Sequence, residues 1–256
     1  MALLSIRDCT IQFGGLTALN QFTCRMRSGE LLGVIGPNGA GKTTLFNVLT
    51  GIYAPTSGAV EFENTSLAQL KPHQINRLGI ARTFQNIRLF GDLTVEDNVL
   101  LAMHRSIQTN LFAISLGSRR YAREANLAHR RARQLLSEFR LDAFANRPSK
   151  SLPYGDQRKV EIIRAMATQP RLLLLDEPAA GMNATEKREL MTFIRHINKD
   201  YGLAIVLIEH DMHVVMNLCP RIIVLDHGQQ IAEGPPEAVR RNPKVIEAYL
   251  GVQPTP

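Results

Sequence analysis

Gly36-Pro37-Asn38-Gly39-Ala40-Gly41-Lys42-Thr43-Thr44 is the stretch from which the fold can be read. It fits G-x-x-x-x-G-K-[ST], a loop whose backbone N–H groups wrap a nucleotide's phosphates, with Lys42 reaching the β and γ oxygens and Thr43 ligating magnesium. The glycines let the backbone come close to the phosphates. A strand must precede such a loop and a helix must follow it, because a helix N-terminus supplies oriented donors and the positive end of a dipole. Glu30-Leu31-Leu32-Gly33-Val34-Ile35 reads as a buried strand, and Leu45, Val48, Leu49 and Ile52 fall at i, i+3, i+4, i+7 as the apolar stripe of a helix.

The remaining carboxylates and amides of interest also stand at strand ends. Arg171-Leu172-Leu173-Leu174-Leu175 runs into Asp176-Glu177-Pro178, the Walker B arrangement in which the Asp holds a magnesium shell, here with an extra Glu beside it. Ile80-Ala81-Arg82-Thr83-Phe84-Gln85 is a strand ending in an amide, and Leu203 to Ile208 is a buried strand ending in Glu209-His210-Asp211. Glu209-His210-Asp211-Met212-His213 does not match H-E-x-x-H, so zinc is not expected.

Composition excludes several classes. Of 256 residues 45% are apolar and 21% charged, ordinary for a soluble globular protein. Apolar runs such as Leu172 to Leu175 and Ile222 to Leu225 fall far short of the roughly 20 residues that cross a bilayer. The start, Met1 to Arg7, lacks a charged n-region and a long apolar stretch, so no secretory signal is expected. Cys9, Cys24 and Cys219 form no C-x-x-C; neither disulfides nor zinc are expected, and a reducing cytoplasm fits. Net charge is +7 with a pI of 9.6. Part of that excess is local, with seven arginines between Arg119 and Arg140 against Glu124 and Glu138. This pattern reads as a solvated helix face, or as a contact for acidic lipid or a partner. Aromatic residues are not interleaved with the arginines and Trp is absent, so nucleic acid is not an expected partner.

Along the chain, residues 3–7, 11–13 and 21–26 read as short strands, the last with Phe22, Cys24 and Met26 on one face. They imply an antiparallel β layer ahead of the parallel sheet, with Phe13 placed where an aromatic could stack on a base. A turn at Ala54 to Gly58 precedes a strand over Ala59 to Phe62, and Pro72 starts a helix stopped by Gly79. Thr94 with Asp97 opens a helix whose apolar side is Val95, Val99 and Met103. Arg105 to Gly117 has weak periodicity and reads as a loop or short helix. A long helix follows to Arg140, then a helix starting near Asp156 and running to Thr168. Asn183 with Glu186 opens a helix bearing Leu190, Phe193, Ile194 and Ile197. Arg221 to Asp226 and Gln229 to Ala232 form a hairpin, and two short helices close the chain.

Gln85 after a strand, Leu152-Pro153-Tyr154-Gly155-Asp156-Gln157 opening a helix, Asp176-Glu177-Pro178 and Ile208-Glu209-His210 resemble the Q-loop, signature, Walker B and H-loop of ABC ATPases, over the whole chain. Gly14-Gly15-Leu16, Arg82-Thr83-Phe84-Gln85, Leu93 to Asn98, Asp176 to Asn183 and Asn242-Pro243 to Tyr249-Leu250-Gly251 look like the ATP-binding subunits of branched-chain amino-acid transporters. The extra length around Arg105 to Arg123 suits the longer of the two ATPase subunits those importers carry. The resemblance implies an α/β fold: a RecA-like P-loop NTPase core with a mainly parallel sheet, an N-terminal antiparallel β layer and an inserted α-helical subdomain. It sets the core at 1–85 and 160–230, the helical subdomain at 86–159 and a C-terminal extension at 231–256.

The resemblance also implies roles. ATP would lie on Gly36 to Thr44 with Phe13 on its adenine, Mg2+ would be held by Thr43, Gln85 and Asp176, Glu177 would orient or deprotonate the attacking water, and His210 would touch the γ-phosphate. Asn183 would sit on the D-loop. Pro153, Tyr154, Gly155 and Asp156 would face the ATP of a second, related ATPase subunit packed head to tail. Pro153 stands where the family has Ser and offers neither hydroxyl nor N–H, which favours a heterodimer in which the partner's own signature is intact. Asp156 replaces a Gln and brings a negative charge toward phosphate. Further expected partners are transmembrane permease subunits and, indirectly, an upstream substrate-binding protein, with the chain peripheral at the cytoplasmic face of the inner membrane. The competing readings are a lipid or lipopolysaccharide exporter ATPase, an ABC ATPase outside transport, and a different P-loop enzyme such as a kinase.

Overall fold

A computed structural model describes residues 2–103 and 119–250. The segment Arg105 to Gly117, read above as a loop or short helix, lies outside the described residues. The chain divides into two compact units, one of residues 1–85 and 171–256, the other of residues 86–170.

The first unit holds two sheets. Strands β1 (Leu4–Phe13), β2 (Leu16–Met26), β4 (Ser57–Phe62) and β5 (Thr65–Ser66) form an antiparallel sheet ordered β2-β1-β4-β5. Where three short N-terminal strands were expected, two long ones form. Asp8 and Gln21, both near φ 48, sit at register shifts where the ladder bulges, so the polar interruptions bend the strands without ending them. The second sheet is ordered β10-β9-β3-β8-β7-β6, from β3 (Leu31–Ile35), β6 (Ile80–Arg82), β7 (Leu172–Asp176), β8 (Ala204–Ile208), β9 (Arg221–Asp226) and β10 (Gln229–Gly234). All its pairings are parallel except β10 with β9. β3, β7 and β8 are buried along their whole lengths, which is why they read as continuous apolar runs.

Helix α1 (Lys42–Leu49) leaves the phosphate-loop motif and ends earlier than its apolar stripe predicts. Ile52 is half exposed. A Schellman closure overrides the periodicity: Ile52 N–H donates to Asn47 O at 2.8 Å and Gly51 N–H to Val48 O at 3.1 Å. Helix α2 (Pro72–Leu78) ends on Gly79 as expected.

In the second unit, α3 (Val95–Met103) buries Val95, Val99 and Met103 and packs against α4 (Arg119–Glu138) and α5 (Tyr154–Met166). The Thr94 hydroxyl accepts from Asp97 N–H at 3.0 Å, the expected cap. α5 lies whole within this unit, so a boundary at 159/160 falls inside that helix. The first unit is completed by α6 (Ala184–Asp200), α7 (Met212–Leu218), α8 (Pro236–Arg240) and α9 (Pro243–Leu250).

Candidate functional site

The phosphate-loop motif is a turn that only glycine can make at two points. Gly36 has φ 152, and a Cβ there would lie 2.0 Å from Leu225 O; Gly41 has φ 102, and a Cβ would lie 2.6 Å from Ala18 O. The base of the loop is locked to the β9–β10 hairpin by Gly228 N–H donating to Ala40 O at 3.1 Å. Its tip is open, with Asn38, Gly39 and Thr43 exposed and Pro37 and Thr44 half-buried. Lys42 is buried and folds back on the loop, donating from Nζ to Gly36 O at 2.7 Å and Pro37 O at 2.8 Å. Burial lowers its pKa, while the nearby Glu177 and Asp176 work against the shift.

The carboxylate pair stands at the end of β7. Asp176 is buried and accepts from Arg82 Nη2 at 2.8 Å. Arg82 also donates to Asn47 Oδ1 at 2.8 Å and lies between the rings of Phe46 and Phe84, 5.4 and 5.1 Å from their centroids. Glu177 takes a left-handed backbone, φ 44, with its N–H on Ile208 O at 2.9 Å. Its Oε2 accepts from Gln85 Nε2 at 2.8 Å and lies 3.4 Å from His210 Nδ1. Thus Gln85, Glu177 and His210, drawn from three strand ends, meet in one cluster. Phe13 is half exposed at the end of β1, edge-on to Tyr53 at 5.0 Å. Asn183 caps α6: its side-chain oxygen accepts from Thr185 and Glu186 N–H, and its backbone N–H donates to the Glu186 carboxylate.

These residues fit a nucleotide and its cation. The loop brings bare backbone where a side chain cannot enter, and the Thr43 hydroxyl, the Asp176 carboxylate and the Gln85 amide offer the hard oxygens magnesium takes.

The signature stretch belongs to the second unit. Pro153 is the N-cap of α5, at φ −53 and ψ 150. The expected start near Asp156 is two residues late. Asp156 and Gln157 N–H groups already donate to Pro153 O, at 3.1 and 3.0 Å, so the donors that helix geometry leaves open are those of Tyr154 and Gly155. Asp156 has a compensating cation, Lys159 Nζ at 3.2 Å. The Tyr154 hydroxyl reaches Arg158 Nη2 at 3.3 Å, and Arg158 pairs with Glu161 at 2.7 Å wholly out of solvent. Glu161 also accepts from Arg88 N–H at 3.1 Å. The arginine-rich helix is not all solvated face: Arg133 and His129 bind the buried Glu96 at 2.9 and 2.8 Å. Although burial opposes it, these bonds lower the Glu96 pKa.

Two charged residues beside the cluster with side chains largely or wholly out of solvent, Arg82 and Glu209, carry no role in the sequence reading. Each is a charge within or directly after an apolar strand, and that is the signal that could mark it.

A model of the ABC transporter family matches residues 19–180, and one described as the branched-chain amino acid ATP-binding cassette transporter matches residues 229–254. The high-affinity branched-chain amino acid transport ATP-binding protein LivG of Salmonella typhimurium is 45% identical over 249 residues, covering 97% of this chain and 98% of that protein. The lipopolysaccharide export system ATP-binding protein LptB of Escherichia coli is 30% identical over 251 residues, 98% of each chain. Among solved structures, the ADP conformation of an ATP-binding cassette of an ABC transporter superposes with a TM-score of 0.85 at 29% identity, covering 98% of this chain and all of that one. The chain belongs to the ABC transporter family of ATPases. Among the described residues no helix is long and apolar enough to cross a membrane.

Proposed function

We propose that this chain is the ATP-hydrolysing subunit that energises an importer of branched-chain amino acids, acting through separate permease subunits at the cytoplasmic face of the inner membrane. The observation that carries the reading is Glu177 beside the buried Asp176, held by Gln85 and facing His210. The choice of importer over lipopolysaccharide exporter rests on the 45% against 30% identities and on the C-terminal match.

ATP binds with its phosphates on Gly36 to Thr44 and its adenine against Phe13. Lys42 exchanges the Gly36 and Pro37 carbonyls for β and γ oxygens, which restores full charge stabilisation to a partly desolvated ammonium. Magnesium, held by Thr43, Asp176 and Gln85, would supply charge neutralisation on the phosphates. Glu177 orients and deprotonates the water that attacks the γ-phosphorus, the bond to the β–γ bridging oxygen breaks, and ADP and phosphate leave; His210 contacts the γ-phosphate. Asn183 holds the D-loop end by capping α6. Pro153 to Asp156 face the nucleotide of a second, related ATPase, so the working unit is a heterodimer whose partner signature completes the site containing Lys42 and Glu177. A substrate-binding protein delivers the amino acid upstream and touches this chain only through the permeases.

Glu177→Gln tests the reading. ATP affinity should stay within a few-fold while single-turnover hydrolysis falls at least about a hundredfold, roughly 2.7 kcal/mol of transition-state stabilisation. Retention of more than about a tenth of the wild-type rate would remove Glu177 as the base.

A further inference from the structure

Glu209 is wholly buried at the end of β8, and nothing in the chemistry above uses it. Its two oxygens serve two different loops. Oε1 accepts from Ala179 N–H at 2.7 Å, two residues beyond Glu177; Oε2 accepts from His210 N–H at 3.2 Å, with Asp211 N–H at the edge of reach, 3.5 Å. Two further ties flank it. Glu177 N–H bonds Ile208 O at 2.9 Å, and Lys187 of α6 pairs with Asp211 at 2.5 Å, where Asp211 also caps α7. Between these ties lie Glu177 and His210, 3.4 Å apart.

Burial pushes the Glu209 carboxyl above its ordinary pKa, and the backbone donors pull it back only in part. A small hydroxyl or an apolar side chain would fill this place without the cost of desolvating a carboxylate. What neither could do is accept from two loops on divergent oxygens. The left-handed backbone of Glu177 is the kind of sparsely populated conformation that persists only where its surroundings over-determine it.

We propose that Glu209 is a positioning residue for ATP hydrolysis, clamping the loop that carries Glu177 to the loop that carries His210, so that base and histidine meet the terminal phosphate in a fixed relation. The inference rests on the roles given above to Glu177 and His210.

The test uses the full chain purified with its membrane partners, reading kcat, KM for ATP and equilibrium nucleotide affinity. Glu209→Ala should lower kcat by about thirtyfold or more while KM and affinity stay within about threefold, because only the geometry of attack is disturbed. Glu209→Gln keeps an acceptor for one loop and turns a donor toward the other, so its kcat should fall between wild type and alanine. It also fills the same volume, and if the alanine chain does not fold, the glutamine chain's split between kcat and KM decides alone. Added to Glu177→Gln, Glu209→Ala should cost less than about twofold more, since no base remains to be positioned. Wild-type kcat in Glu209→Ala, a parallel fall in affinity, or a loss that multiplies in full in the Glu177→Gln background would overturn the clamp. If Glu177→Gln itself keeps its turnover, the base assignment falls and the clamp with it; a silent Glu209→Ala beside a dead Glu177→Gln removes the clamp only.

Discussion

The phosphate loop and the signature helix are both helix N-termini that present backbone N–H groups, yet one keeps every letter of its motif and the other keeps few. The difference lies in what the backbone demands. Gly36 and Gly41 hold left-handed or otherwise glycine-like dihedrals, with carbonyl oxygens 2.0 and 2.6 Å from where a Cβ would go. Pro153 sits at φ −53 and ψ 150, a conformation proline prefers, and Tyr154 begins an ordinary helix with its side chain partly in solvent. In the first region the fold itself forbids substitution. In the second, the helix offers the N–H groups of Tyr154 and Gly155 whatever their side chains, and the backbone at Pro153 and Tyr154 does not dictate the letters.

The sharpest way to break this comparison is Gly36→Ala. The added methyl collides with backbone, which cannot step aside as a flexible side chain would, so stability should fall by more than about 4 kcal/mol in a denaturant titration. A loss below about 1 kcal/mol would show that the loop can remake itself, and the contrast with the signature would disappear.

Charge pairs extend the contrast at smaller size. Arg82 and Asp176 form a pair with less than a tenth of either side chain exposed, whereas Asp156 and Lys159 keep about a fifth of theirs in water. Arg82→Ala leaves a buried carboxylate without its partner and should cost about 3 kcal/mol. Asp156→Asn should cost under about 1 kcal/mol in the same denaturant titration. Equal losses would mean that Asp176 recruits water or another cation once Arg82 is gone.

The same contrast governs what could be read in advance. Strands β3, β7 and β8 are apolar along their lengths because both faces are covered, so they and the residues at their ends, Asp176, Glu177 and His210, were visible in the sequence. The long N-terminal strands read as shorter pieces in the sequence because a bulge residue such as Asp8 looks like a turn when its partners across the sheet are unknown. Ile52 fits the helical stripe yet lies beyond the helix, because periodicity carries no information about a Schellman closure one residue earlier. Arg82 and Glu209 act through partners distant in sequence, Asp176 and Ala179, and no local pattern announces such pairs. Lys159, by contrast, stands three residues from Asp156 on the same helix face, a pairing that local spacing does announce, and it offsets the negative charge that Asp156 brings.

The smallest expected effect is the one that separates a weakened signature from a relaxed one. Pro153→Ser gives α5 a capping hydroxyl worth about 0.5–1 kcal/mol. It also surrenders the rigidity that proline removes from the unfolded chain, about 0.4–1 kcal/mol. Stability should therefore barely move, and any change in turnover reports the nucleotide contact. In the proposed heterodimer, a serine hydroxyl given to the partner's γ-phosphate is worth at most about 1.5–3 kcal/mol net, and part of it is spent equally on ground and transition states. Hydrolysis at the partner's nucleotide should rise several-fold, read by single-turnover assay with Glu177→Gln silencing the other site. If serine and proline give the same rate, Tyr154 and Gly155 N–H groups already suffice, and the case for an unequal pair of sites must rest on the partner chain instead.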